Sequence, residues 1–297
     1  MIGDTRADKV FFSINYVFLT LALLVTLYPL WYILVSSFSN ANDVVALRVW
    51  IWPVNFNIDA YEAIFNSKQL VTGYINSAIY AVVGTIINLL VTILAAYPLS
   101  RRDFLPRNII MALFAFTMLF SGGLIPSYLL VRGLGMLDTL WAMVIPGALS
   151  VWNVVLMRTY FHTSIPEDLL EAAQLDGCRD GQYLIRIVLP LSGSIIAVMV
   201  LFFAVGHWNS YFTALIYLSK AALFPLQIVL RNILIQGQAD ATMTLSSMDP
   251  REVLRIANLR NLLKYALIVV ASAPLLAVYP FIQKYFIKGI MLGALKG

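Results

Sequence analysis

Six long apolar stretches alternate with shorter polar segments along this chain. A bilayer core about 30 Å thick needs about 20 apolar residues in a helix, and each stretch is close to that length. The pattern therefore predicts an all-α integral membrane protein with six transmembrane helices. The predicted spans cover residues 12–35, 76–97, 109–129, 140–157, 191–211 and 262–282.

Glycine and proline interrupt two of these spans. The third contains the run SGGLIPSYLL, in which Gly122, Gly123 and Pro126 predict a break in the helix. The fourth contains Pro146-Gly147, which predicts a kink. Close packing by small residues is an alternative explanation for the glycine pair.

Residues 164–190 form a polar, helix-prone segment between the fourth and fifth spans, which we call the elbow. Ser164 and Glu167 have the spacing of a capping box at a helix start, with Pro166 in the first turn. Asp176-Gly177 predicts the helix end, because glycine readily adopts the left-handed conformation of a C-terminal cap. A second short helix is predicted from Asp180 to Pro190.

One face of the predicted elbow helix carries two small residues. Spacing of three, four and seven positions places four side chains on that face: Leu169, Ala172, Ala173 and Asp176. Two neighbouring alanines allow another surface to approach the backbone closely.

Composition supports the membrane assignment. The 297 residues are 61% hydrophobic and 12% charged, against about 25% charged in soluble domains. The net charge of +5 is assigned to loops, and no basic run interleaved with aromatic residues indicates a nucleic-acid partner. The single cysteine, Cys178, and the two separated histidines, His162 and His207, give no metal-ligand spacing, so we predict no metal site.

The distribution of positive charge predicts the topology. Lysine and arginine favour the cytoplasmic side, and 11 of the 20 lie in the two termini, the 101–107 loop, the elbow and, at Arg158, just before the elbow. We therefore expect both termini and the elbow in the cytoplasm. The external segment 212–260 disagrees with this rule, since it also carries several positive charges.

Apart from Lys264 at the start of the sixth span, the predicted spans carry no charged residue, and the fifth has only His207 near its edge. Ion-coupled carriers generally need an acidic residue, a histidine or a broken-helix site at mid-membrane, so an external energy source is favoured. The chain has no GxxxxGK[ST] phosphate loop. ATP would therefore have to be used by another chain.

A longer pattern in the elbow resembles a known family. Glu171-Ala172-Ala173, Gly177, Ile187 and Leu189-Pro190 occur at the spacing of the EAA loop of binding-protein-dependent ABC importer permeases. The resemblance implies type I ABC importer permease architecture, with a cytoplasmic coupling helix that docks on an ATPase subunit. The implied coupling residues are Glu171, Ala172, Ala173, Asp176 and Gly177. The alternative is an amphipathic loop that packs only on its own membrane helices.

The resemblance also implies the partners and the location. The implied partners are two ATPase subunits that use ATP and Mg, a second permease subunit in a heterodimer, and an extracytoplasmic solute-binding protein. This chain would hold no cofactor and no catalytic residue, and would lie among lipid in the bacterial cytoplasmic membrane. The C-terminal run from Tyr279 to Gly297 is similar to the polysaccharide and oligosaccharide branch, which includes an alginate importer.

Two sets of residues are candidates for the substrate path. His207-Trp208-Asn209-Ser210-Tyr211 resembles the family, and aromatic faces with amides suit carbohydrate; an interfacial aromatic anchor is the alternative. In the family, helix breaks of the Gly122-Gly123 kind line the path. The candidates are Trp208, Asn209, Tyr211, Gly122 and Gly123.

An arginine-bearing face precedes the sixth span. Arg251, Arg255 and Asn258 align on one side of a helix predicted to start at Asp249-Pro250. In maltose-type permeases this loop approaches the binding protein and its sugar, and guanidinium groups bind carboxylates in bidentate fashion. An ordinary solvated helix face is the alternative.

Three classes of function stay open at this point. The first is an importer subunit for an oligosaccharide, uronate-containing or neutral. The second is a channel or pore-forming scaffold without ATPase coupling. The third is an intramembrane hydrolase with Ser121 and His207 as its dyad, which lacks an orienting acid in the membrane. We divide the chain into residues 1–75 and a core permease domain, 76–297.

Overall fold

The computed structural model describes residues 5–243 and 250–294, and every regular element in these ranges is helical. The all-α prediction is thus confirmed for this part of the chain. In chain order the helices are α1 (Arg6–Ser37), α2 (Ala41–Val45), α3 (Asp59–Asn66), α4 (Lys68–Ser100), α5 (Arg107–Leu119), α6 (Leu124–Gly133), α7 (Leu140–Val144), α8 (Val151–Ser164), α9 (Asp168–Leu175), α10 (Asp180–Tyr183), α11 (Leu189–Leu191), α12 (Gly193–Trp208), α13 (Tyr211–Tyr217), α14 (Leu226–Met243) and α15 (Pro250–Ala294).

Three helical segments within the described ranges are long and apolar enough to cross a membrane: Asp8–Ser37, Lys68–Ser100 and Arg260–Pro280. Two bent pairs reach the same length together, α5 with α6 at 110° and Asp180–Leu191 with α12 at 84°. If each bent pair is one span, the described residues offer up to five spans. The count of six stays a prediction.

The predicted fourth span is wrong as a continuous helix. α7 ends at Val144 and α8 begins only at Val151, so Pro146-Gly147 produces a break where the sequence predicted a kink. Proline lacks an amide hydrogen and its ring clashes with the carbonyl four residues earlier. The amide of Asn88 compensates in part, because its Nδ2 donates to the Gly147 carbonyl at 3.2 Å.

The break predicted in the third span is confirmed. α5 ends at Leu119 and α6 starts at Leu124, with Gly123 at φ 87° between them. That backbone angle is open to glycine at little cost and strained for other residues. The glycine pair therefore allows the chain to turn by 110° within a few residues.

α4 has the inverse of the usual amphipathic pattern. Its buried face carries small or polar residues, and its exposed face carries large aliphatic ones, because lipid is as apolar as a leucine side chain and helices in lipid associate by close packing. The small or polar buried positions are Gly73, Ser77, Gly84, Thr85, Asn88, Thr92 and Ala96, and Leu70, Tyr80, Ile93 and Leu99 are the large buried ones. Exposed positions are Val71, Ile75, Ile79, Val82, Ile86, Leu90 and Leu94.

The chain groups into two compact units. The first consists of Met1–Lys68 and Leu230–Ala273, and the second of Gln69–Val229 and Pro274–Gly297. In the first unit the segment after α1 is ordered around stacked rings, since Phe38 packs on Phe56 and Tyr61 with centroids 5.8 and 4.8 Å apart. The boundary at residue 75 stays a prediction. The elbow and the cavity discussed below lie within the second unit, and the arginine face before the sixth span lies within the first.

Candidate functional site: the elbow and a polar cavity

The elbow helix starts later than its sequence pattern predicts. Ser164 is the last residue of α8, and α9 begins at Asp168 without a side-chain cap, so the predicted capping box of Ser164 and Glu167 is wrong. The Glu167 carboxylate has another partner, because its Oε2 lies 2.8 Å from the Arg102 guanidinium. An ion pair thus occupies the group that would have closed the box.

The predicted helix end at Gly177 is confirmed. Gly177 has φ 75°, its amide donates to the Gln174 carbonyl at 3.0 Å, and the next amide, of Cys178, donates to Ala173 at 2.9 Å. These two bonds are those of a Schellman motif, which supplies partners to the last carbonyls of a helix. No other described atom lies within 4 Å of the position that a Gly177 Cβ would take.

The two alanines of the elbow face different surroundings. Ala173 is buried in a cluster with Ala96 of α4, Met157 of α8 and other apolar side chains. Ala172 is exposed, and so is Leu175, at 89%. Ala173 therefore anchors α9 to its own chain, while Ala172 and Leu175 are available to a partner. Glu171 and Asp176 are exposed as well.

The second elbow helix runs from Asp180 to Leu191 and passes Pro190 by one residue. Its middle, Leu184–Val188, is a π-helix in which the Leu189 amide donates to the Leu184 carbonyl. A π-turn inserts extra room into the helix, which suits a proline that cannot donate to the preceding turn. The chain then bends by 84° into α12.

A cavity of about 480 Å³ lies among α4, α8, α12 and α13. Amide, hydroxyl and imidazole groups share its wall with aromatic rings, and it has no carboxylate among its described lining residues. Its polar lining residues are Asn88, Ser150, Asn153, His207, Asn209, Ser210 and Thr213, and its aromatic ones are Phe202, Phe203, Phe212 and Tyr217. Its volume lies in the range of small-molecule sites, about 300–1,000 Å³.

Three buried polar atoms on this wall have no hydrogen-bond partner within the described part of the chain: Asn88 Oδ1, His207 Nε2 and Ser210 Oγ. A buried polar atom without a partner costs about 1–3 kcal/mol. All three atoms have almost no accessible surface, and the His207 Nε2 faces the α4 backbone at Gly84. Hydrogen bonds from them to a molecule in the cavity therefore require the covering side chains to move.

The imidazole of His207 is positioned by a glycine on the facing helix. A Cβ at Gly84 would overlap with the His207 ring, so the ring packs directly over the α4 backbone at that point. The small residue at position 84 thus allows α4 and α12 to approach closely. It also holds the histidine against the cavity wall.

The predicted substrate-path residues are only partly brought together. Asn209 lines the cavity. Trp208 is buried with its ring 5.3 Å from that of Tyr74, and Tyr211 packs beside a cluster that includes Tyr80, so neither belongs to the lining. Gly122 and Gly123 lie in the α5–α6 break and do not line it either.

The arginine face before the sixth span is described only in part. The side chains of Arg251 and Arg255 lie outside the described residues, although the α15 backbone includes both positions. Asn258 donates from Nδ2 to the Asn42 side chain at 2.7 Å, within the first compact unit. A contact of these residues with substrate stays a prediction.

Sequence reasoning missed Asn88, Asn153, His207 and Ser210 as a group. The sequence argument about the spans rested on charged side chains, and apart from Lys264 the predicted spans contain none. Neutral amides within apolar runs were the available signal, because intramembrane polar residues are rare and costly. Their convergence could not be read from the sequence, since it depends on the break between α7 and α8. Among the described residues, no three His, Cys, Asp or Glu side chains are grouped to hold a metal ion.

Comparisons with known proteins agree with one another. Residues 88–292 match the family described as binding-protein-dependent transport system inner membrane component. The polygalacturonan/rhamnogalacturonan transport system permease protein YtcP of Bacillus subtilis (strain 168) is 40% identical over 98% of this chain and 99% of its own length. Protein LplC of the same organism is also 40% identical, over 99% of this chain and 97% of its own.

A solved structure shows the same architecture. The crystal structure of a bacterial ABC transporter involved in the import of the acidic polysaccharide alginate contains a chain with a TM-score of 0.84 and 33% identity, covering 96% of this chain and 100% of that one. The match extends over the elbow, the cavity and both compact units. From the family match and the 40% identity of its relatives, this chain belongs to the inner membrane components of binding-protein-dependent transport systems.

Proposed function

We propose that this chain is one of two permease subunits of an ATP-driven importer for uronate-containing oligosaccharides. An extracytoplasmic binding protein delivers the substrate, and two ATPase subunits that bind ATP and Mg drive the cycle. The chain crosses the cytoplasmic membrane six times, with both termini and the elbow in the cytoplasm. The family assignment supports this over the channel and the hydrolase. Ser121, the nucleophile of the hydrolase hypothesis, is exposed and does not line the cavity.

The observation that carries the proposal is the polar cavity. A sugar presents hydroxyl groups on its edges and C–H groups on its faces, which match the amides and rings of this wall. Asn88 and Ser210 belong to this wall, and their buried, unpartnered oxygens gain hydrogen bonds from a sugar only when the side chains that cover them move aside.

The acidic character of the substrate is supported by two relatives. One carries polygalacturonan and rhamnogalacturonan in its name, and the other structure belongs to an alginate importer. The described cavity wall has no carboxylate that would repel a uronate. Like charges in a low-dielectric site cost several kcal/mol, so a neutral wall is a requirement for such a substrate.

The elbow supports the ATP-driven part of the proposal. α9 is fixed to its own chain on one side through Ala173 and leaves Leu169, Ala172 and Leu175 exposed on the other. A short helix with an exposed apolar edge and acidic neighbours fits a groove on a soluble partner. We infer that this partner is the ATPase subunit.

Reconstitution with the partner subunits and the binding protein tests the proposal. We expect ATP-dependent uptake of trigalacturonate to exceed that of its carboxyl-reduced, neutral counterpart by about tenfold or more, since hydrogen bonds to charged groups contribute about 1.5–3 kcal/mol. Equal uptake of the two oligosaccharides would contradict a preference for acidic substrates. Uptake without ATP or binding protein would favour a channel.

A variant pair tests the cavity itself. Asn88→Leu removes the buried amide and should lower uptake several-fold, whereas Ile86→Val on the exposed face of the same helix should leave uptake unchanged. Equal effects of the two substitutions, at equal amounts of folded protein, would exclude the cavity as the path.

A further inference from the structure

The loop that follows α4 holds an arginine whose side chain is nearly buried. Arg101 is 10% exposed. Its Nε and one terminal nitrogen donate to the two carboxylate oxygens of Asp103 at 2.9 and 2.6 Å. The other terminal nitrogen donates to the Tyr97 hydroxyl at 3.0 Å and to Asp180 Oδ1 at 2.9 Å. Four of its five N–H donors are thus used, by partners in α4, in the loop and in α10.

These contacts connect the loop to the elbow on both sides of α9. Asp180 is the first residue of α10, directly after the turn that ends α9. Arg102 bonds to Glu167, which immediately precedes α9. Two consecutive arginines therefore bind the two ends of the elbow helix. We call these two ion pairs, Arg101–Asp180 and Arg102–Glu167, the clasp.

The two halves of the clasp differ in strength. Arg102 is 64% exposed and Glu167 45%, and exposed ion pairs contribute about 0–1 kcal/mol because water and salt screen them. Asp180 is itself 74% exposed, so the difference comes from Arg101, which is only 10% exposed and is oriented by the bidentate Asp103. Less side-chain entropy is therefore lost in its contact with Asp180. The pKa of Asp103 lies below its ordinary value, chiefly because of the hydrogen bonds from Arg101. Asp103 therefore stays charged and keeps Arg101 in place.

Arg101 is also coupled to the cavity through a single helix. It follows directly on α4, and Tyr97, which shares its guanidinium, lies in the last turns of α4. The same helix carries Asn88 on the cavity wall. At 1.5 Å per residue, Asn88 and Arg101 are about 20 Å apart along the helix axis. The carbonyls at its end are held as well, since Arg158 donates to Leu99 and Arg107 to Arg101.

We propose that Arg101, through Asp180, is the positioning residue that transmits movement of the elbow to α4 and so to the cavity wall. This inference rests on the proposed function, in which the elbow is displaced by the ATPase. The apolar contacts of Ala173 hold α9 against α4 and α8, but apolar contacts have no preferred direction and allow α9 to shift across that surface. The nearly buried guanidinium of Arg101 has oriented hydrogen-bond partners, which oppose such a shift. Arg101 is therefore suited to transmit a displacement along the membrane surface.

Four variants separate transmission from simple stability. Asp180→Asn removes the charge of the elbow partner and leaves Arg101, Asp103 and Tyr97 in contact. Asp103→Asn is the comparison variant, because the asparagine oxygen still accepts from Arg101 inside the loop and the Asp180 carboxylate is kept. Asp180→Glu restores the carboxylate, and Arg101→Gln removes the guanidinium. Each aspartate variant leaves the nearly buried Arg101 one carboxylate partner, so its charge is not left unpaired.

The measurement is the number of ATP molecules hydrolysed per sugar imported, in reconstituted complexes with equal amounts of folded permease. We expect Asp180→Asn and Arg101→Gln to raise this ratio several-fold, Asp180→Glu to bring it back toward the wild-type value, and Asp103→Asn to change it less than Asp180→Asn. A wild-type ratio in Asp180→Asn, or an equal rise in Asp103→Asn, overturns the positioning role alone. Absence of ATP-driven uptake by the wild-type complex overturns the proposed function and the positioning role with it.

Discussion

At Gly177 the backbone ends α9 in the left-handed region, at φ 75°, with open space where a side chain would be. The cost of a substitution there comes from the backbone and not from a clash. That glycine was predictable, because Asp-Gly after an amphipathic run is a frequent helix end. The absence of the predicted capping box could not be foreseen, because it depends on the pairing of Glu167 with Arg102, which is far away in sequence.

Gly177→Ala should disturb the elbow without unfolding the protein. A non-glycine residue in the left-handed region costs about 1–2 kcal/mol, so α9 should fray at its end and coupled uptake should fall. Gly181→Ala is the matched control, since Gly181 lies in α10 with equally open space and an ordinary helical backbone. Uptake with hydrogen exchange of the α9 amides measures both effects. Normal uptake and protection in Gly177→Ala would show that the turn tolerates a side chain.

Asp138 connects two loops through its carboxylate. Oδ1 accepts from the Ser219 and Lys220 amides at 2.5 and 3.0 Å, and its own amide donates to the Tyr217 carbonyl at 3.0 Å. The bonds from Ser219 first, and then from Lys220, lower the pKa of Asp138 below its ordinary value. The connection is therefore fully present above the unfolded-state pKa, near 3.9, and is lost as pH falls through the lowered folded-state value.

Exchange protection of the Ser219 and Lys220 amides should follow this titration. After correction for intrinsic rates, we expect protection to be constant from pH 7 to pH 5 and to decrease only below about pH 4. Asp138→Ala should abolish protection at every pH, while Asp138→Asn keeps an acceptor and should lose only the pH dependence. Protection in Asp138→Ala equal to wild type would mean that other contacts order these amides.

At the scale of elements, α4 combines a lipid-type face and a cavity-type face. Hydropathy alone predicted the centre of α4, residues 76–97, because a long apolar run in lipid must form a helix. It missed the turns that extend the helix to Lys68 and Ser100. It could not predict the interruption between α7 and α8. Residues 140–157 are apolar enough for a span, and only the three-dimensional contact of Asn88 with Gly147 accounts for the carbonyl that the break frees.

Cysteine labelling distinguishes the two faces of α4. In a Cys178→Ser background, which contains no other cysteine, Asn88→Cys and Ser210→Cys should react with a charged, membrane-impermeant thiol reagent in open complexes. Ile86→Cys and Leu94→Cys, on the exposed aliphatic face, should react far more slowly because lipid excludes the reagent and disfavours the thiolate. Equal rates at the four positions would contradict an aqueous cavity on one face only.

At the scale of the whole molecule, the elbow should decide which soluble partner assembles with the chain. Leu175 is almost fully exposed beside the acidic groups of α9, and an exposed leucine at a partner-facing position contributes to a hydrophobic contact. The EAA pattern in the sequence was enough to predict the family. Only the structure shows that Ala173 packs on the chain's own helices while Ala172 is exposed.

Co-purification in mild detergent tests this assembly. Leu175→Ser should reduce the recovered ATPase subunit and leave the second permease subunit bound, because the substitution affects only the elbow surface. Leu105→Ser is the matched control, since Leu105 is equally exposed but lies in the loop after α4. Loss of both partners from the Leu175 variant would instead indicate misfolding.

Because the Asn88 amide donates its N–H to the Gly147 carbonyl, one hydrogen bond joins α4 to the break between α7 and α8 at the cavity. A displacement of α4 relative to that break either costs this bond or carries the Gly147 carbonyl along. We therefore expect these two sides of the cavity to move together.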